Sequence, residues 1–284
     1  MVIYYDCQCA EYGFVGHPEA PFRVTATASH LKQAMPDWQW VVPEAASEED
    51  ILRVHVAHHW NRLRIARNFD ADTPFCDDIR DHAARAAGAA VAVARQALAG
   101  NKAFSLMRPP GHHATADEAM GFCYLNSVAI AAHYARAQGA ERVAVFDFDA
   151  HHGNGTQDLL AMKPGYFYGS AHQYPCYPGT GGTSFGNVVN GLVPPEAPRD
   201  EHMLALGRVW QSILAFKPDL ILVSAGFDSY CDDPLTEMSL EASDFHTLGV
   251  WMRDCGVKCG AVLEGGYSRD LPELVLAFLR GWES

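Results

Sequence analysis

The sequence predicts an α/β protein of three layers, αβα, in which helices cover both faces of a central, mainly parallel sheet. Three observations point there. Apolar runs of strand length alternate with amphipathic or Ala-rich segments of helix length, the pattern of crossover helices between parallel strands. Polar residues with versatile chemistry gather just after four of those runs, where open parallel sheets place their ligand crevice. With 284 residues and 49% hydrophobic content, the chain can bury one large core, and a single domain over 1–284 is expected.

The elements follow in order. Val2-Ile-Tyr-Tyr5 reads as the first strand, and further strands are expected at 103–107, 143–148, 166–170, 219–224 and 259–263. Between them, 81–99 is rich in Ala and stops at Gly100, 126–138 stops at Gly139, and 201–216 precedes a Pro-bearing turn; each has a recognisable helix exit. The Pro/Gly-rich stretch 175–198 reads as a long loop with one short strand near 187–193. No repeat, low-complexity tract or linker interrupts this order.

Composition narrows the function. A formal net charge of -13 disfavours nucleic acid, because phosphate binding needs a basic footprint. No apolar run approaches the roughly 20 residues that span a bilayer, and the chain opens on a strand-like segment instead of a signal-like one; no membrane association and a soluble, cytoplasmic protein are expected. Eight cysteines lack any Cys-x-x-Cys pair, which reads as free thiols in a reducing compartment.

The run Val143-Ala-Val-Phe-Asp147-Phe-Asp149-Ala-His151-His152-Gly153 carries the strongest chemical signal. In an extended backbone, side chains two apart share a face, so Asp147, Asp149 and His151 can converge. Carboxylate plus imidazole without thiolate suits zinc in a catalytic site with an open coordination position. Leu220 to Asp228 repeats the pattern of a buried strand ending in a carboxylate, which makes Asp228 the third ligand beside Asp149 and His151. Asp147 either orients a neighbour or holds a second, structural cation.

Arg108-Pro-Pro-Gly111-His112-His113 follows another strand, and its prolines fix a loop presenting two imidazoles suited to general acid/base work. The doublet His58-His59 lies in a helical-looking segment without strand or Gly punctuation and is assigned to surface and packing. Glu264-Gly265-Gly266-Tyr267 follows the last strand; its phenol could donate to an oxyanion, or simply be a buried structural tyrosine.

Together, Arg108 to Ala114, Gly121 to Asn126, Asp147 to Gly155, Ala225 to Asp228 with Asp233-Pro234-Leu235, and Leu263 to Tyr267 resemble the zinc-dependent histone deacetylase superfamily. That superfamily includes class II-like histone deacetylases and acetylpolyamine amidohydrolases. The likeness begins at His17-Pro-Glu-Ala-Pro-Phe-Arg23 and runs to the last strand. It implies an arginase/deacetylase-like fold and hydrolysis of acetyl or acyl amides on an aliphatic amine.

By resemblance, Asp149, His151 and Asp228 would hold Zn2+, with Fe2+ as the alternative ion in the cell. His113 would be the general base and then acid, His112 its electrostatic companion paired with Asp147, and Tyr267 the group that polarises the acyl carbonyl. Gly121, Phe122, Tyr177 and Leu235 match the channel for the substrate chain. Asp147, Asp149, His151, Ser170 and Ala171 match a structural K+ site. His152 belongs to the following turn.

Three features tune the expectation. Asn154 partners His113 as in class II relatives, where class I proteins have Asp; a neutral partner avoids raising the His pKa. Tyr177 replaces a more usual Phe on the wall. Leu235 stands where polyamine-preferring relatives can place an acidic gatekeeper, which favours acetyl-lysine. The segment 67–81 is short, so an open channel mouth is expected. Acetylpolyamine deacetylation is the alternative activity; a binuclear ureohydrolase or a non-catalytic acyl-lysine binder are more remote. The partner is then an acetylated lysine side chain or small acetylated amine, and no oligomeric state is implied.

Overall fold

A computed structural model describes residues 1–283 of the chain. Its sheet has eight strands: β1 (Val2–Tyr4), β2 (Gln39–Val41), β3 (Ala103–Ser105), β4 (Val143–Asp147), β5 (Tyr166–Gln173), β6 (Val188–Val193), β7 (Leu220–Ala225) and β8 (Lys258–Leu263). They lie in the order β2-β1-β3-β8-β7-β4-β5-β6, and every neighbouring pair is parallel.

The central strands are buried on both faces, so they read as continuous apolar runs and not as alternating ones. In β4, Phe146 enters the layer with Phe148, Trp210, Phe227 and Phe278, whereas Val143 and Val145 pack on the opposite side with Val128, Ala131 and Leu222. The aromatic side is covered by α1 (Phe22–Ala34), α7 (Arg199–Ala215), α8 (Ala242–Asp254) and α9 (Leu271–Glu283). The other side is covered mainly by α4 (Ile79–Leu98) and α5 (Ser127–Ala137), and three short helices, α2 (Glu48–Leu52), α3 (Ala57–Arg62) and α6 (Asn154–Leu160), complete the set. The buried alanines of α4 let it lie close to β8, where Gly260 faces Val93 and Ala97 with no room for a Cβ.

Register sets the site. Asp147 at the end of β4 pairs with Ser170 of β5 and Ser224 of β7, and Ala225 pairs with Leu263 of β8. Four chain segments therefore leave the sheet at neighbouring heights, as an open parallel sheet requires for a crevice at its carboxyl edge.

The expected helices are present with ends shifted by one or two residues. β5 runs to Gln173 instead of ending at 170, because β6 continues to pair with it through Val193. β3 ends at Ser105, short of 107; Leu106 N–H still bonds Tyr4 O at 2.9 Å before the chain turns away. No helix among the described residues is long and apolar enough to cross a membrane. All eight cysteines are free thiols.

Candidate active site

The strand ends deliver Asp149, His151 and Asp228 to one point, with a ligand atom of each within 4.8 Å of the others. Both carboxylates are fully buried. His151 Nδ1 lies 2.8 Å from Asp228 Oδ2 and 3.4 Å from Asp149 Oδ1. Backbone donors aim the carboxylates: Ala150 N–H reaches Asp228 Oδ1 at 2.8 Å, and Gly265 N–H reaches Asp149 Oδ2 at 2.7 Å. Gly226 and Gly265 are required here, since a Cβ at either would collide with these carboxylates.

The electrostatics of this trio call for a cation. Burial, then the charge of Asp149, pushes Asp228 up to about 7. Against its own burial, His151 is held protonated by Asp228 and Asp149. Two adjacent carboxylates in a dry site cannot both ionise cheaply, so a proton on His151 stands where a divalent ion fits. The donor set, two carboxylates and one imidazole, matches a metal site that keeps a position open.

The tandem imidazoles are differentiated by their partners. His112 Nδ1 is 3.2 Å from Asp147 Oδ2, which also accepts from Tyr168 Oη at 3.0 Å. Burial alone would lower the His112 pKa, but the Asp149 and Asp147 carboxylates outweigh it and lift the group to about 10. His113 is driven the other way by burial and then by the positive charge of His112 and His151. Its Nδ1 lies 2.8 Å from Asn154 Oδ1, while Asn154 Nδ2 donates to His113 O at 3.3 Å. The amide oxygen therefore faces the ring, Nδ1 carries the hydrogen, and Nε2 keeps a lone pair.

A channel of about 200 Å³ leads to these groups, lined by Asp72, His113, Gly121, Phe122, His151, Tyr177, Leu235 and Tyr267. Gly121 and Phe122 both have left-handed backbones (φ 55° and 69°). That turn lays the Phe122 ring against Tyr267 and His17, at centroid distances of 5.8 and 4.7 Å. Tyr177 and Leu235 are 41% and 38% exposed, which places them toward the mouth, while Tyr267 is 9% exposed and lies deeper.

Residues 17–281 match the family described as Histone deacetylase domain. The chain belongs to the histone deacetylase family. It is 36% identical over 298 residues to a Methanothermobacter thermautotrophicus protein named "Probable deacetylase", covering 99% of this chain and 90% of that one. It is 39% identical over 245 residues to the Pseudomonas aeruginosa "Histone deacetylase-like amidohydrolase", covering 78% of this chain and 64% of that protein. The crystal structure of acetylpolyamine aminohydrolase from Burkholderia pseudomallei superposes with a TM-score of 0.92 at 27% identity, over 100% of this chain and 99% of that one. The protein is thus a histone deacetylase-family amidohydrolase, and that family's fold implies a metal cofactor.

All three expected metal ligands, the tandem histidines with Asn154 and Asp147, and the four expected wall residues meet in this one site of the deacetylase fold. At the expected K+ site, Asp147 and Ser170 are cross-strand neighbours next to Ala171. The Ser170 hydroxyl there engages His172 Nδ1 at 2.8 Å. His152 turns away, bonding Thr180 Oγ1 and Gln157 Oε1. In the His58-His59 doublet, His58 is exposed, while His59 is buried with Nε2 on Tyr124 O at 2.7 Å.

The segment 67–81 contributes to the site. Short as it is, this segment supplies Asp72 to the channel and Thr73, whose Oγ1 accepts from Phe122 N–H at 3.1 Å. Sequence reasoning also assigned no role to Glu264 or Glu19. Glu264 Oε2 accepts from Gly111 and His112 N–H at 2.7 and 3.1 Å, which fixes the tandem-histidine loop from below. Glu19 takes Arg108 in a two-pronged pair and Arg23 at 3.1 Å; Arg23 in turn bonds Gly266 O at 2.7 Å. This buried relay ties the loop after β3 to the loop after β8.

Proposed function

We propose that this deacetylase-family chain removes acetyl groups from Nε-acetyl-lysine side chains, with zinc held by Asp149, His151 and Asp228. The observation that carries the reading is the channel: a largely apolar passage walled by Phe122, Tyr177 and Leu235 that leads to His113, His151 and Tyr267. Such a passage accepts an alkyl chain and presents only its terminal amide to the polar floor.

A divalent ion at Asp149, His151 and Asp228 supplies Lewis acidity toward water and the acyl carbonyl. His113, neutral with its Nε2 lone pair free, accepts the proton of the attacking water and later gives it to the leaving amine. His112 stays protonated beside Asp147, and its positive charge keeps the His113 pKa low and balances negative charge developing on the acyl oxygen. Tyr267 stays protonated because burial pushes its pKa up, so its phenol can donate to the acyl oxygen. The apolar walls exclude competing water.

A second reading rests on Asp72, a carboxylate on the channel lining. It could accept peptide N–H groups of a lysine-bearing chain or pair with the distal ammonium of an acetylpolyamine. The deciding measurement compares kcat/KM of the zinc-loaded protein on acetyl-lysine peptides and on N8-acetylspermidine. Preference for the peptide supports the proposal; a clear preference for the polyamine replaces it. Replacing Tyr267 by Phe should lower kcat on the order of 10²-fold with KM little changed.

A further inference from the structure

Asp233 lies five positions past Asp228 and touches no reacting atom, yet it is 6% exposed and all its polar contacts are to backbone N–H groups. Its Oδ2 accepts from Tyr267 at 2.7 Å and from Ser268 at 3.2 Å, while its Oδ1 accepts from Leu235 at 3.0 Å. One carboxylate therefore holds both the phenol-bearing turn and the wall residue near the channel mouth.

Both segments need such a tie. Residues 231–239 form an excursion closed at its base, where Cys231 N–H bonds Leu240 O and Leu240 N–H bonds Ser229 O; within it Thr236 is tied to Asp228 O and Glu237 N–H to Gln173 Oε1, whereas Leu235 N–H is held by the Asp233 carboxylate. Tyr267 follows Gly265 and Gly266, the latter at φ +116°, so its own linkage to β8 is permissive. Arg23 fixes that turn from one side, through Gly266 O and with its guanidinium 4.8 Å from the Tyr267 ring centre. Asp233 fixes it from the other. Charge-assisted bonds from a buried carboxylate to three backbone donors are stronger and more directional than neutral ones.

We propose that Asp233 is a positioning residue that registers Tyr267 against Leu235, so that the oxyanion donor and the channel wall keep one fixed spacing. The proposal rests on the deacetylase reading above, in which Tyr267 meets the acyl oxygen. It acts through Tyr267, and a donor misplaced by about 1 Å can cost on the order of 10²-fold in rate.

The test uses the full chain loaded with zinc, carrying Asp233→Ala or the shape-preserving Asp233→Asn, alone and with Tyr267→Phe. Acetyl- and trifluoroacetyl-lysine forms of one peptide are compared, because an activated trifluoroacetyl carbonyl depends less on a phenol donor. Asp233→Ala should lower kcat on the acetyl peptide on the order of tenfold to a hundredfold, lose less on the trifluoroacetyl peptide, and cost little more once Tyr267 is already Phe. Asp233→Asn, which keeps an acceptor oxygen, should fall between. Amide hydrogen exchange at Tyr267 and Ser268 should quicken while β4 and β7 stay protected. Equal losses on both peptides, full additivity with Tyr267→Phe, or unchanged exchange would overturn the inference. If the parent protein cleaves neither peptide, the acetyl-lysine reading fails, and the exchange measurement still decides whether Asp233 holds the turn.

Discussion

His113 Nδ1 and Asn154 Oδ1 stand 2.8 Å apart, so the second imidazole of the pair faces a neutral amide while the first faces the Asp147 carboxylate. This contrast separates their protonation states, His112 lifted to about 10 and His113 held low. Asn154→Asp places a negative charge on His113, favours its imidazolium and raises its pKa. Below that pKa the base is lost. The acidic limb of the kcat/KM profile should therefore move to higher pH by about one unit or more, with the plateau at higher pH less affected. An unmoved limb in the pH–rate profile would remove His113 as the titrating base.

The metal site makes a separate prediction on the protein stripped by chelation. Without an ion, burial pushes Asp228 up to about 7, above the 3.8 of an unstructured carboxylate. A raised folded-state pKa contributes stability at low pH that is lost as pH climbs through about 7, because the folded state must then ionise a group that resists it. Asp228→Asn cannot ionise. The stripped variant should gain on the stripped parent as pH rises from 5 to 8, by a few degrees in Tm. Zinc should stabilise the parent far more than the variant. Thermal melts at matched pH with and without zinc check both; a parent-to-variant gap independent of pH would show that Asp228 is not strained when metal-free.

What the sequence disclosed follows from where the signals are local. Asp149 and His151 lie two apart on one face, and Asp228 ends a buried run, so periodicity alone brings them together. Glu264, Glu19 and Asp233 each reach a backbone group or cation far along the chain, and a carboxylate that bonds N–H groups has no side-chain partner to betray it. Asp72 sits in a segment with no periodic pattern. Among the elements, β2 is a three-residue edge strand paired only with β1, too short to alternate. α1 carries Val24, Thr25 and Thr27, weak helix formers, and is held by burying Arg23, Val24 and Leu31. α9 carries a local start signal in the sequence: Pro272 sits in its first turn, followed by a strongly apolar face.

Leu235 offers a test of chain preference. It lines the channel beside Tyr267 and is 38% exposed, so a longer acidic side chain there can reach solvent without entering the core. Leu235→Glu should raise kcat/KM for N8-acetylspermidine relative to an acetyl-lysine peptide by about two- to fivefold, the worth of one partly exposed charge pair. The gain should fade as salt rises. A ratio unchanged at low salt would place Leu235 outside the path of the amine.

The reactivity of Cys255 can be read from its neighbour. Its Sγ lies 3.7 Å from Cys259 Sγ and 3.4 Å from the Val257 N–H. Hydrogen bonding from the Cys259 thiol is the largest influence and, against burial, draws Cys255 down to about 7. Cys259 is pushed up in turn, since it supplies the shared proton. At Cys9 and Cys76 burial dominates and pushes the thiols up, to about 12 and 11. Because the thiolate is the nucleophile, iodoacetamide should alkylate Cys255 at half its limiting rate near pH 7 and well before Cys9 or Cys76. Cys259→Ala deletes the donor, so the Cys255 pKa should rise and its labelling curve shift to higher pH. Peptide mass spectrometry across a pH series reads both curves; coincident curves for parent and variant would discard Cys259 as the cause.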